Sequence, residues 1–268
     1  MIFNKKLEEG NYAGQLLKTI AVENFIVSTT QYLESSCESV LHSHENPHIC
    51  LLYQGSDIES RSNSISYERK AGDIFFYDSG EQHRTIKTTK NSKNINIELR
   101  SSANFKNSIT RRNLRSSIEN NIDTNLLSLK ILEELHLNDD LTSLSIESLC
   151  LELLNCSNNV NSNYKPNWVY LIKDFLNDNW HAKFSLFELS IVVGVHPVTI
   201  SKNFRKYFHC NYGEYVRKLK IKKSISMIKN SKMSLTEIAF ECGFSDQSHF
   251  IRNFKNLTGF LPKNFKSI

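Results

Sequence analysis

At 268 residues, with 40% apolar content, the chain is long enough for two ordinary domains with their own cores and too apolar to be disordered. Its formal charge of +5 conceals a division: residues 161–268 hold 17 Lys and Arg against 7 Asp and Glu, net +10, while residues 1–160 hold 16 against 21, net −5. No run approaches the about eighteen apolar residues of a membrane-spanning helix, MIFNKKLEEG lacks the apolar core of a secretory signal, and six cysteines without a CxxC pair exclude a zinc knuckle or redox motif.

A cytoplasmic protein with reduced thiols and no membrane partner is therefore expected, and the basic half points to nucleic acid. Residues 1–100 contain short apolar or alternating runs such as HICLLYQG and GDIFFYDSG, bounded by Gly, Asp and Ser, and are predicted to be mostly strands. Within them HSHENPH places His42, His44 and His48 beside Glu45, with His83 further on, and raises the question of a metalloenzyme.

Residues 101–157 are predicted as a helical hairpin. TNLLSLKILEELHLNDD and TSLSIESLCLELLNCS carry leucines at helical spacing, with Asn138-Asp139-Asp140 as the break and Thr142 as the second N-cap. The leucine faces either cap the β core or pair with a second subunit as a homodimer. An Asn- and Ser-rich linker follows over 158–166, and an all-α domain over 167–268.

That last region repeats itself. SLFELSIVVGV from Ser185 aligns with SLTEIAFECGF from Ser234, so that Leu186, Leu189 and Val193 correspond to Leu235, Ile238 and Cys242 on one buried helix face. Gly194 and Gly243 then stand where the helix must stop in a left-handed conformation. A second helix follows in each copy, one with Pro197 at N1, the other with Ser245 as N-cap and Asp246 in its first turn. Ile200, Phe204 and Tyr207 form the core stripe of the first, and Phe250, Phe254 and Leu257 that of the second.

The opposite faces carry Val198, Ser201, Lys202 and Arg205 in one copy, and Ser248, Ile251, Arg252 and Lys255, with Gln247 alongside, in the other. A helix about 10–12 Å across fits the major groove, where Arg or Lys reaches guanine and Gln pairs with adenine. One such pair of helices alone reads as an ordinary hairpin. Two with matching core, turn and basic face read as helix-turn-helix units over 185–208 and 234–258. A linker helix over 213–229, roughly 25 Å long, holds them near the ~34 Å repeat of successive major grooves.

On these residues, the segment from Pro166 to Ile268 resembles the DNA-binding domain of AraC/XylS-type bacterial transcription regulators. Glu237, Ile238, Ala239, Gly243, Phe244, Phe250, Phe254, Lys255, Gly259 and Pro262 stand where that pattern expects them. The resemblance implies that Val198, Ser201 and Lys202, and Gln247, Ser248 and Arg252, face bases. Departures are His196-Pro197 for the more usual Ser-Pro, and Phe265-Lys266 for Tyr-Arg. It also implies an N-terminal sensor of cupin type: HSHENPHICLLYQG resembles the first cupin motif, and GDIFFYDSGEQHR, with Gly72, Asp73, Gly80 and His83, the second.

A metal-binding cupin would use His42, His44 and His83, but its carboxylate place holds His48, since Glu45 comes too early on the strand. A four-histidine set is open to zinc, nickel or copper; the alternative is histidines that line an effector pocket. No nucleophile-base pair and no phosphate loop stands in the chain, so no enzyme and no resident cofactor is expected.

The expected fold class is α+β: a cupin-like β-barrel and helical hairpin, then two helix-turn-helix units. The expected function is a sequence-specific, DNA-binding transcriptional activator. Its partners would be double-stranded promoter DNA in the nucleoid, RNA polymerase and a small-molecule effector held by His42, His44, His48 and His83. A cupin metalloenzyme fused to a DNA-binding module is the rival reading. A constitutive regulator, whose N-terminal interior is too full for a ligand, is the third.

Overall fold

A computed structural model of the chain describes residues 5–34, 38–61, 65–100, 111–158 and 165–268. Cys37, residues 101–110 of the expected hairpin region and 159–164 of the expected linker lie outside them. The fold is mixed α+β, with strands first and helices after.

Among the described residues ten strands precede the helices: β1 (Lys5–Leu7), β2 (Gln15–Ala21), β3 (Phe25–Tyr32), β4 (His42–His44), β5 (His48–Gln54), β6 (Ser56–Arg61), β7 (Ser66–Lys70), β8 (Ile74–Tyr77), β9 (His83–Thr88) and β10 (Ser92–Leu99). They pair as two five-stranded sheets, β1-β4-β9-β6-β7 and β2-β3-β10-β5-β8. Among the described residues the hydrogen bonding closes no barrel, and every pairing is antiparallel except β1 with β4.

β5 is buried from His48 to Tyr53 because both its faces are covered, which is why it reads as one apolar run rather than an alternation. One face meets the other sheet; helices lie over the other, with Asn125 donating to Gly72 O at 2.7 Å. Between β5 and β6 the chain turns at Gly55, φ +81°, where an added Cβ would fall 2.5 Å from Ser92 Oγ and 2.6 Å from Thr89 Oγ1.

The expected hairpin is α2 (Ile122–Leu137) and α3 (Thr142–Asn158), and α1 (Arg111–Asn120), which sequence periodicity did not single out, precedes it. Asn138 ends α2 in the left-handed region, φ 52°. Thr142 is a correction: it lies inside α3, and its hydroxyl accepts from Asp139 N at 2.8 Å, tying the inter-helix turn instead of capping. The leucines divide. Leu126, Leu129, Leu132 and Leu135 enter the core, while Leu141 and Leu144 remain 65% and 70% exposed.

The remaining helices are α4 (Asn167–Asp178), α5 (Leu186–Val193), α6 (Pro197–Phe208), α7 (Tyr212–Asn230), α8 (Leu235–Glu241), α9 (Gln247–Thr258) and α10 (Pro262–Ser267). Two cores result. One joins Phe204, Phe208, Leu189, Ile200 and Leu219 to Trp168 and Ile172 of α4. The other runs without interruption from Phe25, Leu51 and Ile97 of the sheets through Leu129 and Leu132 to Ile225, Ile238, Phe250, Phe254 and Phe265. α7 contributes to both. Its lysines are not a plain solvated face either: Lys218 pairs with Asp123 at 2.7 Å, and Lys220 donates to Gly243 O at 3.1 Å.

Candidate nucleic-acid interface and histidine cluster

Each helical pair begins with the same cap. Ser185 Oγ accepts from Glu188 N, and Ser234 Oγ from Glu237 N, both at 3.2 Å; each Glu carboxylate accepts back from its serine N at 2.7 Å. These reciprocal bonds satisfy two orphan donors per helix and hold both glutamate carboxyls below the usual range. The signal S-x-x-E stood in the sequence and went unread.

α5 stops at Gly194 and α8 before Gly243, both at φ +66°. A Cβ on Gly243 would meet Lys220 Nζ at 2.7 Å and His181 O at 2.8 Å, so this turn is glycine-only for space as well as for backbone. α6 starts at Pro197, with His196 Nδ1 accepting from Val198 N at 3.3 Å. α9 corrects the expected cap: Asp246, not Ser245, is the N-cap, accepting from His249 N at 2.7 Å, because Gln247 is the first helical residue.

The buried stripes are Ile200, Phe204 and Phe208, and Phe250, Phe254 and Thr258; Tyr207 and Leu257, expected in them, are half-buried. Val198, Ser201, Lys202 and Arg205 lie together on the exposed side of α6, and Ser248, Arg252 and Lys255 on that of α9. Ile251 is half-buried against the core. Gln247 is half-buried and its amide oxygen accepts from Thr236 Oγ1 at 2.8 Å, so its side chain is held in place. The 19 residues of α7 connect the two pairs over about 28 Å.

The histidines converge from both sheets. His42 and His44 alternate to one face of β4, His42 is the register partner of His83 on β9, and His48 opens β5 in the other sheet. Ring nitrogens of His42, His44 and His83 lie within 4.8 Å of one another. His48 stands outside that trio, stacked on Tyr77 at 4.7 Å and 4.3 Å from the His44 ring. Glu45 is exposed and reaches Lys6 at 3.5 Å, so it takes no part.

Burial favours the neutral form of all four rings. It pushes His44, with help from His83 and His42, down to about 3, and His83, with help from His42, down to about 3; it lowers His42 and drives His48 well below the ordinary value. His42 Nδ1 donates to Val40 O at 2.8 Å and His83 Nδ1 to Glu81 O at 3.1 Å, since a carbonyl only accepts. Their Nε2 lone pairs are thereby free, the arrangement in which a backbone acceptor orients a ligating imidazole. His48 is buried between the His44 and Tyr77 rings.

Tyr12 and Tyr77, which no spacing in the sequence connects to the histidines, complete the walls, and the space left is about 30 Å³. That holds a water or an ion rather than an organic molecule. Below it a buried ion network fills the interior: Arg69 binds Asp57 at 2.5 and 2.6 Å and Glu59 at 3.1 Å, and donates to Tyr77 Oη at 2.9 Å.

Residues 189–267, from within α5 to the end of α10, match the family described as "Helix-turn-helix domain". The chain is 30% identical over 86 residues to the transcriptional regulator GbdR of Pseudomonas aeruginosa, covering 32% of this chain and 23% of GbdR. It is 27% identical over 99 residues to the Msm operon regulatory protein of Streptococcus mutans, covering 37% and 36% of the two chains. Over 88 residues it is 27% identical to the transcriptional activator RhaS of Escherichia coli, covering 33% and 30%. In each case the match spans well under half of the relative's length. No described helix is long and apolar enough to cross a membrane.

Proposed function

We propose that this chain binds double-stranded DNA sequence-specifically and regulates transcription, because residues 189–267 match a helix-turn-helix family and resemble the corresponding region of transcription regulators. The observation that carries the reading is the pair of exposed polar and basic faces on α6 and α9, displayed by matching capped hairpins at the two ends of α7. Val198, Ser201, Lys202, Gln247, Ser248 and Arg252 read base edges; Arg205 and Lys255, in the last turns, take phosphates. The sign we assign is activation, with RNA polymerase as the protein partner, supported by a relative that is named as an activator.

Selection of bound duplexes from a random pool by the full chain tests this directly. Enrichment of one motif with two half-sites about one helical turn apart is expected, with affinity falling linearly in log salt. Retention of the pool without enrichment would reduce the protein to a non-specific cation.

A second input is favoured by the convergence of His42, His44 and His83 within 4.8 Å of one another and by their two oriented Nε2 atoms. We infer that His42, His44 and His83 accept a zinc-like ion, with His48 alongside, after ring shifts on the order of an ångström toward the ~2.0–2.1 Å Zn–N distance. The ion is structural or regulatory, because about 30 Å³ leaves no room for an organic substrate. Zinc titration of chelator-stripped protein should show stoichiometric uptake that a His42→Ala, His44→Ala double variant lacks; equal uptake by both would end this reading.

A further inference from the structure

A second cavity, of about 440 Å³, opens where α1, α4 and α6 meet, and its size falls within the ~300–1,000 Å³ of small-molecule sites. Its chemistry differs from that of the histidine cavity. Lys165 and Lys173 line it with Tyr170, Tyr207 and Tyr215, so that cations and aromatic surface border the same cavity. Ser116 and Asn120 of α1 supply polar groups opposite.

The lysines lack counter-charges of their own. Lys173 Nζ donates to the Asn120 carbonyl at 3.2 Å and to Asn120 Oδ1 at 3.1 Å, both neutral acceptors. Neither Lys165 nor Lys173 forms an ion pair among the described residues. Asp174 is the one carboxylate in the lining. Burial and then repulsion from Lys165 lower the Lys173 pKa, and Asp174 offsets this only in part. An anion seated between the two ammonium groups would relieve both costs.

We propose that this cavity binds a small organic anion with a flat apolar body, and that its occupancy adjusts DNA binding by the first helix-turn-helix. The inference rests on the DNA-binding reading and moves the effector away from the histidines, whose cavity is too small for one. The route is geometric. Ser116 and Asn120 belong to the helices packed on the sheets, Tyr207 to α6 itself and Tyr215 to α7. One occupant therefore touches both sides of the junction and favours whichever placement of α6 it fits best.

The test uses the full chain and 1-anilinonaphthalene-8-sulfonate, an aromatic sulfonate, as the probe, read by fluorescence and by anisotropy of a labelled DNA site. Saturable, stoichiometric binding is expected, weakened about tenfold or more in a Lys165→Met, Lys173→Met variant of unchanged thermal unfolding. Ser116→Trp should block the cavity with both lysines intact, and His42→Ala, His44→Ala should leave binding alone. The uncharged N-phenyl-1-naphthylamine should bind about tenfold more weakly. Saturating sulfonate should shift DNA affinity about fivefold or more in the wild type and not in Ser116→Trp. Equal binding by the lysine variant, equal binding of the uncharged probe, or unmoved DNA affinity at saturation overturns the proposal. Absence of DNA binding without any probe would instead sink the parent reading, which fluorescence does not report.

Discussion

Replacing Arg252 by alanine is expected to weaken binding to the selected site by about 1–3 kcal/mol, about five- to 150-fold, while binding to scrambled duplex changes little. Arg252 is exposed on α9 and makes no ion pair among the described residues, so its removal takes nothing from the fold. Phe250 and Phe254 on the opposite face, both fully buried, fix where it points. Asp246 and Gln247, tied to His249 N and Thr236, fix where the helix starts. Anisotropy titrations with matched and scrambled DNA check the effect. Equal losses on the two would reassign Arg252 to the phosphate backbone, the role in which Lys255 belongs.

Arg69→Met carries the largest expected cost, about 3–5 kcal/mol of stability, because it strands buried carboxylates. The Arg69 side chain is 3% exposed, Asp57 0% and Glu59 4%, and the guanidinium is the group that both carboxylates share. Tyr77 cannot replace it: its hydroxyl already donates to Glu59 at 2.5 Å. Even with Arg69 present, burial raises the Asp57 pKa above its ordinary value. A folded carboxyl that holds its proton more tightly than the unfolded one gains stability as pH falls. The deficit of the variant should therefore shrink on acidification toward pH 4, where Asp57 can bury as the neutral acid. Urea unfolding across that range measures it, and an Asp57→Ala, Arg69→Met double variant should lose less than the sum of its parts. A small, pH-independent loss would show that water reaches the network.

The C-terminal region was legible because its signals are local. Gly194 and Gly243, Pro197, and the three-four spacing of Leu189 and Ile238 each act within one turn, and the repeat doubles them. β6 shows why the sheets were less so. In SDIESR the buried residues are Asp57, Glu59 and Arg61, with Ile58 between them half-buried, the reverse of what polarity predicts. The reversal comes from partners on other strands: Asp57 is the register partner of Arg69 on β7, and Tyr77 reaches Glu59 from β8. No pattern along one strand contains that pairing.

The histidines fall between these cases. The alternation of His42 and His44 put two of them on one face, and the second motif supplied His83. His48 was grouped with them because it stands in the carboxylate place of the motif; although it lies in the other sheet and stacks on Tyr77, it lines the same cavity, with its ring 4.3 Å from that of His44. α1 and α4 were missed as elements, and with them the junction cavity, whose walls come from six helices and the residues between them.

The two cores make the reading heads unequal in how they can evolve. The border runs through α7, with Leu219 on one side and Ile221 on the other. A substitution at Phe204 or Leu189 disturbs a core confined to the first head, α4 and the near end of α7, so that head can be retuned or exchanged almost as a cassette. A substitution at Phe250 or Phe254 is felt as far as Phe25 and Leu51. On the proposed DNA-binding reading, new operator preferences that need a helix to be re-seated should thus accumulate faster in α6 than in α9, whose core side descends with the sheets it is welded to.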